Sequence, residues 1–372
     1  MNIFIINILS LFVWQYIYKK NINIPKIKIY IMFGILLQFV VLQGFRDYSV
    51  GADTLKYVKY YNYFRGLNIS LSEMLMHPPL AFERGYLTLM YICDVFNVSS
   101  RMFIVIISII INILILRFIY YISDDFILSI WLFIALEYFS LSFTMLRQMI
   151  AIGLILNSYI YIERKEKYKS LGLILIAILF HKTAIVFLPF YIIFNMKICN
   201  SNNELLKKGV NFFKSYKLII CISIIFFSKI ILTKPILLIC SYIYPGYVAV
   251  HNNDFPTLFF VMMGILIISI IIESKHNVKN ERYQQLQFLM FASCLIQIFV
   301  IEFSEISRAS LNTYVFIIAL LPLMINKIDN KKLKFSFELL IYLLTFVQYY
   351  FFSMNVYNLL PYSFGFAWYN LF

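Results

Sequence analysis

The run MFIVIISIIINILILRFIYYI, residues 102–122, decides the fold class: it has the ~20-residue length of a bilayer-crossing helix, and Arg117 is its one charged residue. Similar apolar runs fall near 3–18, 29–45, 126–143 and 148–162, and again near 218–240, 257–273, 285–303, 309–325 and 335–353. A chain of 372 residues that is 62% hydrophobic, 19% aromatic and 13% charged has too little polar side chain to clothe a soluble globule. The expectation is all-α: one polytopic integral membrane bundle over residues 1–372, with about 10–13 crossings if short half-helices are counted. The first apolar run starts at Ile3 with no basic stretch before it, so it should remain as a span.

A net charge of +14 on a soluble domain would point to nucleic acid. Here 18 of the 23 lysines lie in the loops 19–28, 164–169, 197–217, 275–282 and 327–334, which the positive-inside rule makes cytoplasmic. The bilayer therefore accounts for the charge, and nucleic acid is excluded as a partner. This orientation puts Met1, the long segment 46–101 and the stretch 354–372 outside. Segment 170–196 has lysine-rich loops on both sides and must cross an even number of times, yet two full spans need about 40 residues. Two half-helices meeting at His181-Lys182-Thr183 are predicted, with Pro189 breaking the second and the turn lining a cavity open to the outside. Residues 85–98 are too short and polar for a span and read as an interfacial or re-entrant helix.

The arginines do not follow the lysines. Six of nine, Arg46, Arg65, Arg84, Arg101, Arg147 and Arg308, map to the outer side, where the rule disfavours them. A planar fork of donors suits phosphate and carboxylate, so an anionic substrate is one reason for that placement. Pairing with Asp47, Glu83, Glu302 and Glu305 on the same side is the plain alternative.

Charge, glycine and aromatic rings concentrate in Arg46-Asp47-Tyr48-Ser49-Val50-Gly51-Ala52-Asp53-Thr54-Leu55-Lys56-Tyr57. Gly51 permits a tight turn, Asp53 stands at a helix-cap position, and Tyr57, Tyr60, Tyr61 and Phe64 at i, i+3, i+4, i+7 give the following helix an aromatic face expected to meet lipid headgroups. Three further polar clusters sit at helix ends: Glu83-Arg84-Gly85-Tyr86, Leu146-Arg147-Gln148 and His181-Lys182-Thr183. Arg147 and Gln148 at a helix N-terminus add to its positive dipole end and suit a phosphate. Histidine as a residue type has an ordinary pKa near neutrality, so His181 is a candidate general acid or base, although a lone histidine in a bundle is equally a hydrogen-bonded core residue. Glu137 should face the bundle interior and bridge helices. The five cysteines are scattered and read as packing residues, with no metal or disulfide pattern. No cofactor is expected.

The order Arg46, Val50-Gly51-Ala52-Asp53-Thr54 with Tyr57, Glu83-Arg84-Gly85-Tyr86, Leu146-Arg147-Gln148-Met149-Ile150-Ala151, and His181-Lys182-Thr183-Ala184 with Leu188-Pro189 resembles the EpsG family of Wzy-like O-antigen and exopolysaccharide polymerases. The likeness covers residues 40–325 and includes Ser307-Arg308, Tyr314 and Pro322; Ala52 departs from it, where a Thr is expected. The resemblance implies a glycosyltransferase-type polymerase in the bacterial inner (plasma) membrane, joining repeat units carried on undecaprenyl pyrophosphate. A flippase and a chain-length regulator of the same pathway are the implied protein partners, and the bundle looks like the GT-C class by analogy only.

Such a transfer needs cations for the leaving group, a base for the acceptor hydroxyl and an apolar groove for prenyl chains. Asp53 or His181 is the candidate base, with Arg147 beside them. Arg46, Gly51, Glu83, Gln148, Lys182 and Arg308 are the candidate binding residues. Tyr242, Tyr244, Tyr247, Trp368 and Tyr369 can stack on sugars or anchor at the membrane interface. Two rivals are a transporter or flippase, for which no internal repeat is found, and a membrane acyltransferase, for which none of His77, His181, His251 and His276 sits in a suitable motif.

Overall fold

The computed structural model describes residues 2–67, 69–195, 204–243, 257–276, 278–303, 305–353 and 357–365. It is 80% helical, and no strand occurs among the described residues. In chain order the helices are α1 (Asn2–Lys20), α2 (Ile27–Gly44), α3 (Thr54–Arg65), α4 (Leu71–Met76), α5 (Arg84–Val95), α6 (Ser100–Ile122), α7 (Phe126–Ala135), α8 (Tyr138–Thr144) and α9 (Leu146–Glu163). There follow α10 (Lys167–Phe180), α11 (Leu188–Asn195), α12 (Glu204–Ile243), α13 (Thr257–Lys275), α14 (Glu281–Gln297), α15 (Ile306–Tyr314), α16 (Ile317–Asn326) and α17 (Lys331–Gln348).

Among the described residues, six helical stretches are long and apolar enough to cross a bilayer, and the bent pair α7–α8, taken as one span, makes a seventh. This is a polytopic helical membrane protein. Helices α1, α9 and α17 have 18 or 19 residues but are more polar. The run 126–143, expected as one span, is broken by a 53° bend. Glu137 takes φ 72 there, a left-handed conformation that a side chain adopts at a cost. The freed backbone stays hydrogen-bonded, Leu136 N to Leu132 O at 2.9 Å and Leu141 N to Glu137 O at 2.7 Å.

The chain forms two compact units, residues 1–185 with 331–372, and residues 186–330. In the first, Lys28 Nζ donates to Tyr120 O at 2.9 Å, Tyr18 meets Phe126, and Arg164 lies over the Tyr121 ring. The ends of α1, α2, α6, α7 and α9 that carry Lys19, Lys20, Lys28 and Arg164 are thus gathered on one side. Phe4 against Phe143 and Tyr362 marks the opposite side. An 18-residue α9 separates the two by about 27 Å at 1.5 Å per residue.

In the second unit, α12, α13 and α14 are joined by a polar chain. Lys217 Nζ bonds Glu273 Oε2 at 2.6 Å and also reaches Gln287; Gln287 Nε2 donates to Ser269 Oγ at 3.0 Å. Ser293 Oγ to Thr313 Oγ1 at 2.9 Å and Ser310 Oγ to Gln297 Oε1 at 2.7 Å tie α14 to α15.

The chain does break at His181, whose backbone is extended at φ −156, and a 3-10 turn over Lys182–Phe187 leads into α11. Pro189 does not break the second half. It sits in the first turn of α11, where a missing N–H costs nothing.

Candidate active site

Arg46 is completely buried, and its donors are spent on the chain itself. Nε donates to Val50 O at 3.1 Å and Thr54 Oγ1 at 3.2 Å, Nη2 to Phe143 O at 2.8 Å and Thr54 Oγ1 at 3.1 Å, and Nη1 to Gln43 O. Arg101 donates to Arg46 O and stacks 4.2 Å from the Tyr48 ring centre. The reading of Arg46 as a substrate-binding residue is therefore corrected: it ties the end of α2 to α3 and α8. Gly51 likewise serves the backbone. It has φ 93, and a Cβ there would lie 2.7 Å from Thr54 Oγ1 and 2.9 Å from Phe143 O.

With the loop turned this way, Asp53 adopts φ −109, ψ 0 instead of the extended backbone a cap needs, and its side chain makes no cap bond. Asp53 thus stands at the N-cap position expected of it, but without the capping hydrogen bond. The aromatic face is corrected too. Tyr57, Tyr61 and Phe64 are buried in protein, Tyr61 stacking on Phe103 at 4.1 Å and Tyr57 lying 5.9 Å from Tyr86. The opposite face, with Lys56 and Lys59, is exposed as expected.

Asp53, Lys56, Tyr57, Tyr60, Phe82 and Arg147 line a cavity of about 60 Å³. Arg147 lies 4.5 Å over the Phe82 ring centre, bonds Glu83 Oε2 through Nη1 and interacts electrostatically with the Tyr57 phenol. Its Nε is buried with no partner, an unusual loss for a charged donor. Burial pushes the Tyr57 phenol up from its usual range, opposed by Arg147, so it is a neutral phenol at physiological pH. Nearby, Asp47 is held below the usual carboxylate range by the Ser49 amide and hydroxyl.

Glu83 joins two of the motifs. While Oε2 holds Arg147, Oε1 accepts from the Lys182 amide at 3.4 Å. Helix α5 reaches that turn because Gly85 has no side chain: a Cβ would lie 2.8 Å from Leu179 O. His181 is 8% exposed, with Nδ1 hydrogen-bonded to Thr183 Oγ1 at 2.7 Å, and Lys182 is exposed. The structure thus brings Asp53, Glu83, Arg147 and the His181-Lys182 turn to one end of the first unit, with α9 presenting its N-terminus there.

The other described candidates are not among the residues lining the cavity. Gln148 is 2% exposed and does not line the cavity. Arg308 belongs to the second unit and pairs with Glu305 at 2.9 Å. Arg65 pairs with Asp94 at 3.3 Å. Glu137 accepts from the Tyr357 hydroxyl at 3.0 Å. Tyr244, Tyr247, Trp368 and Tyr369, like the side chain of Tyr242 and His251, lie outside the described residues. Sequence reasoning missed Phe82 and Lys56 in the cavity wall; both flank residues it singled out.

No curated protein and no solved structure matches the chain. The profile of the EpsG family matches residues 28–364, nearly the whole length. This integral membrane protein belongs to the EpsG family, which implies a polymerase of polysaccharide biosynthesis.

Proposed function

We propose that the chain joins polysaccharide repeat units at the outer face of the bacterial plasma membrane, transferring a glycan from an undecaprenyl-pyrophosphate carrier to a hydroxyl of a lipid-linked acceptor. The observation that carries this reading is the meeting of Asp53, Glu83, Arg147 and the His181-Lys182 turn at the end of the first unit opposite Lys19, Lys20 and Lys28. Lysines prefer the cytoplasmic side, which supports an outward cleft.

Arg147, with an unpaired Nε at a helix N-terminus, is suited to the departing pyrophosphate. Lys56 adds a second positive charge in the cavity wall. Glu83 and the Phe82 ring hold the guanidinium, so that the fork is oriented before the substrate arrives. Asp53, whose side chain makes no cap bond, takes the proton from the acceptor hydroxyl. His181, held by Thr183, orients the turn that Glu83 grips.

Cells lacking the gene and complemented with Asp53→Asn should carry single repeat units and no long chains, with normal amounts of protein in the membrane. Long chains from Asp53→Asn, with none from His181→Ala, would assign the base to His181. An alkaline phosphatase fusion at Lys208 should be inactive; activity there would reverse the orientation.

A further inference from the structure

The loop 45–53 is held by a segment far along the chain. Arg46 and Phe364 form an antiparallel bridge, flanked by Asp47 N to Ser363 O at 2.8 Å and Gly365 N to Phe45 O at 2.9 Å. The Gly51 and Ala52 amides donate to Asn358 O at 2.9 Å and Tyr357 O at 3.0 Å. Tyr362 Oη donates to Leu42 O at 2.9 Å across 320 residues of sequence. The Tyr357 hydroxyl, finally, donates to Glu137 Oε2 at 3.0 Å, and Glu137 stands in its φ 72 conformation at the break between α7 and α8. A non-glycine residue kept in that region needs surroundings that impose it.

These bonds bear on Asp53 directly. Its own side chain makes no cap bond, so its place is set by the backbone leading to it, and two of the amides there are satisfied by segment 357–365. Neither Tyr357 nor Glu137 lines the cavity; Tyr357 bears on it through that backbone, and Glu137 through the Tyr357 hydroxyl and through α8, whose Phe143 O accepts from Arg46 and Thr54. We propose that segment 357–365, latched to Glu137 by the Tyr357 hydroxyl, is a positioning element of the cleft, setting where Asp53 stands relative to Lys56 and Arg147. Tyr357 and Glu137 are positioning residues. The activity arm of the test below rests on the polymerase reading; the exchange arm does not.

Glu137→Gln keeps a carbonyl acceptor for Tyr357, Glu137→Ala removes it, and Tyr357→Phe removes the donor without touching the strained position. Glu137→Gln should support parental chain length. Glu137→Ala and Tyr357→Phe should lower long-chain polymer at least ~10-fold at parental protein levels. In purified protein, amide exchange at Gly51 and Ala52 should quicken at least ~10-fold in the latter two and stay parental in Glu137→Gln.

Unchanged exchange in Tyr357→Phe overturns the latch whatever the polymer does. Glu137→Gln as inactive as Glu137→Ala, with parental exchange, makes the charge of Glu137 the active quantity and overturns a positioning role. Quickened exchange with parental polymer in Tyr357→Phe overturns the link to activity if Asp53→Asn is inactive. If Asp53→Asn also makes parental polymer, the reading of the cleft has failed, and the exchange result alone decides the latch.

Discussion

Arg46 and Arg147 look alike in the sequence: each follows an apolar run or opens one, and each has a carboxylate near it in the motifs. In the structure they are opposites. All three nitrogens of Arg46 donate to four oxygens of its own chain, and it has no exposed surface. Arg147 is braced by Glu83 and the Phe82 ring yet keeps a buried Nε without a partner, in the wall of a cavity that also contains Asp53. The difference teaches that polar density near a membrane marks both structural knots and sites, and that only a donor-by-donor account separates them.

Arg46→Lys should break that comparison most visibly. A point charge cannot reach four oxygens, and losing several charged hydrogen bonds costs on the order of 3 kcal/mol. The expected outcome is a marked loss of folded protein, seen as a lower amount in the membrane and an earlier thermal transition in detergent. Parental thermal behaviour would mean that Arg46 is not a knot. Arg147→Lys should do the reverse, keeping the protein level and thermal transition while polymer falls by about 100-fold, or ~2.7 kcal/mol in the barrier. Parental polymer would remove the bidentate role.

Gly51→Ala sharpens the boundary between the two regions. Its φ of 93 and the close Phe143 carbonyl predict a destabilisation above ~1 kcal/mol together with reduced polymer, because the turn serves both Arg46 and Asp53. A thermal shift with full activity would separate them. Arg65→Gln is the smallest case: its pair with Asp94 is about a third exposed, so stability should change by less than about 1 kcal/mol with polymer unaffected. A loss of polymer would make Arg65 part of the site.

Seven of the ten expected runs, counting the bent pair, are long and apolar enough to cross a bilayer; they were legible because apolar length is the signal of a helix that must satisfy its own backbone in lipid. The break at His181 was legible from arithmetic, since 27 residues cannot make two crossings. The bend at Glu137 was not, because an acidic residue inside an apolar run says that it needs a partner without saying that the helix will turn. Periodicity found the aromatic stripe of α3 correctly but could not tell protein from headgroup as its cover; Phe103 and Tyr86, distant in sequence, decide that. The motifs Glu83, Arg147 and His181-Lys182 could be picked out separately, whereas their junction through the two oxygens of Glu83 required coordinates. Segment 357–365 gave no signal of its own. Backbone pairing writes little into side-chain identity, and the recognised motifs ended near residue 325, although the family match runs to 364.

The pairing of residues 42–52 with 357–365 also fixes an order of events during biosynthesis. At ~5–20 residues per second, the 320 residues between Leu42 and Tyr362 take roughly 15 to 60 s to emerge. For the later part of that interval the nascent chain can hold the loop before α3 through Arg46, Thr54 and Arg101, but without the backbone pairing that segment 357–365 supplies. A product that stops before residue 357, through a stop codon or a stalled ribosome, lacks the segment that pairs with the loop before α3. The loop before α3 takes its full set of backbone partners only once residues 357–365 have emerged.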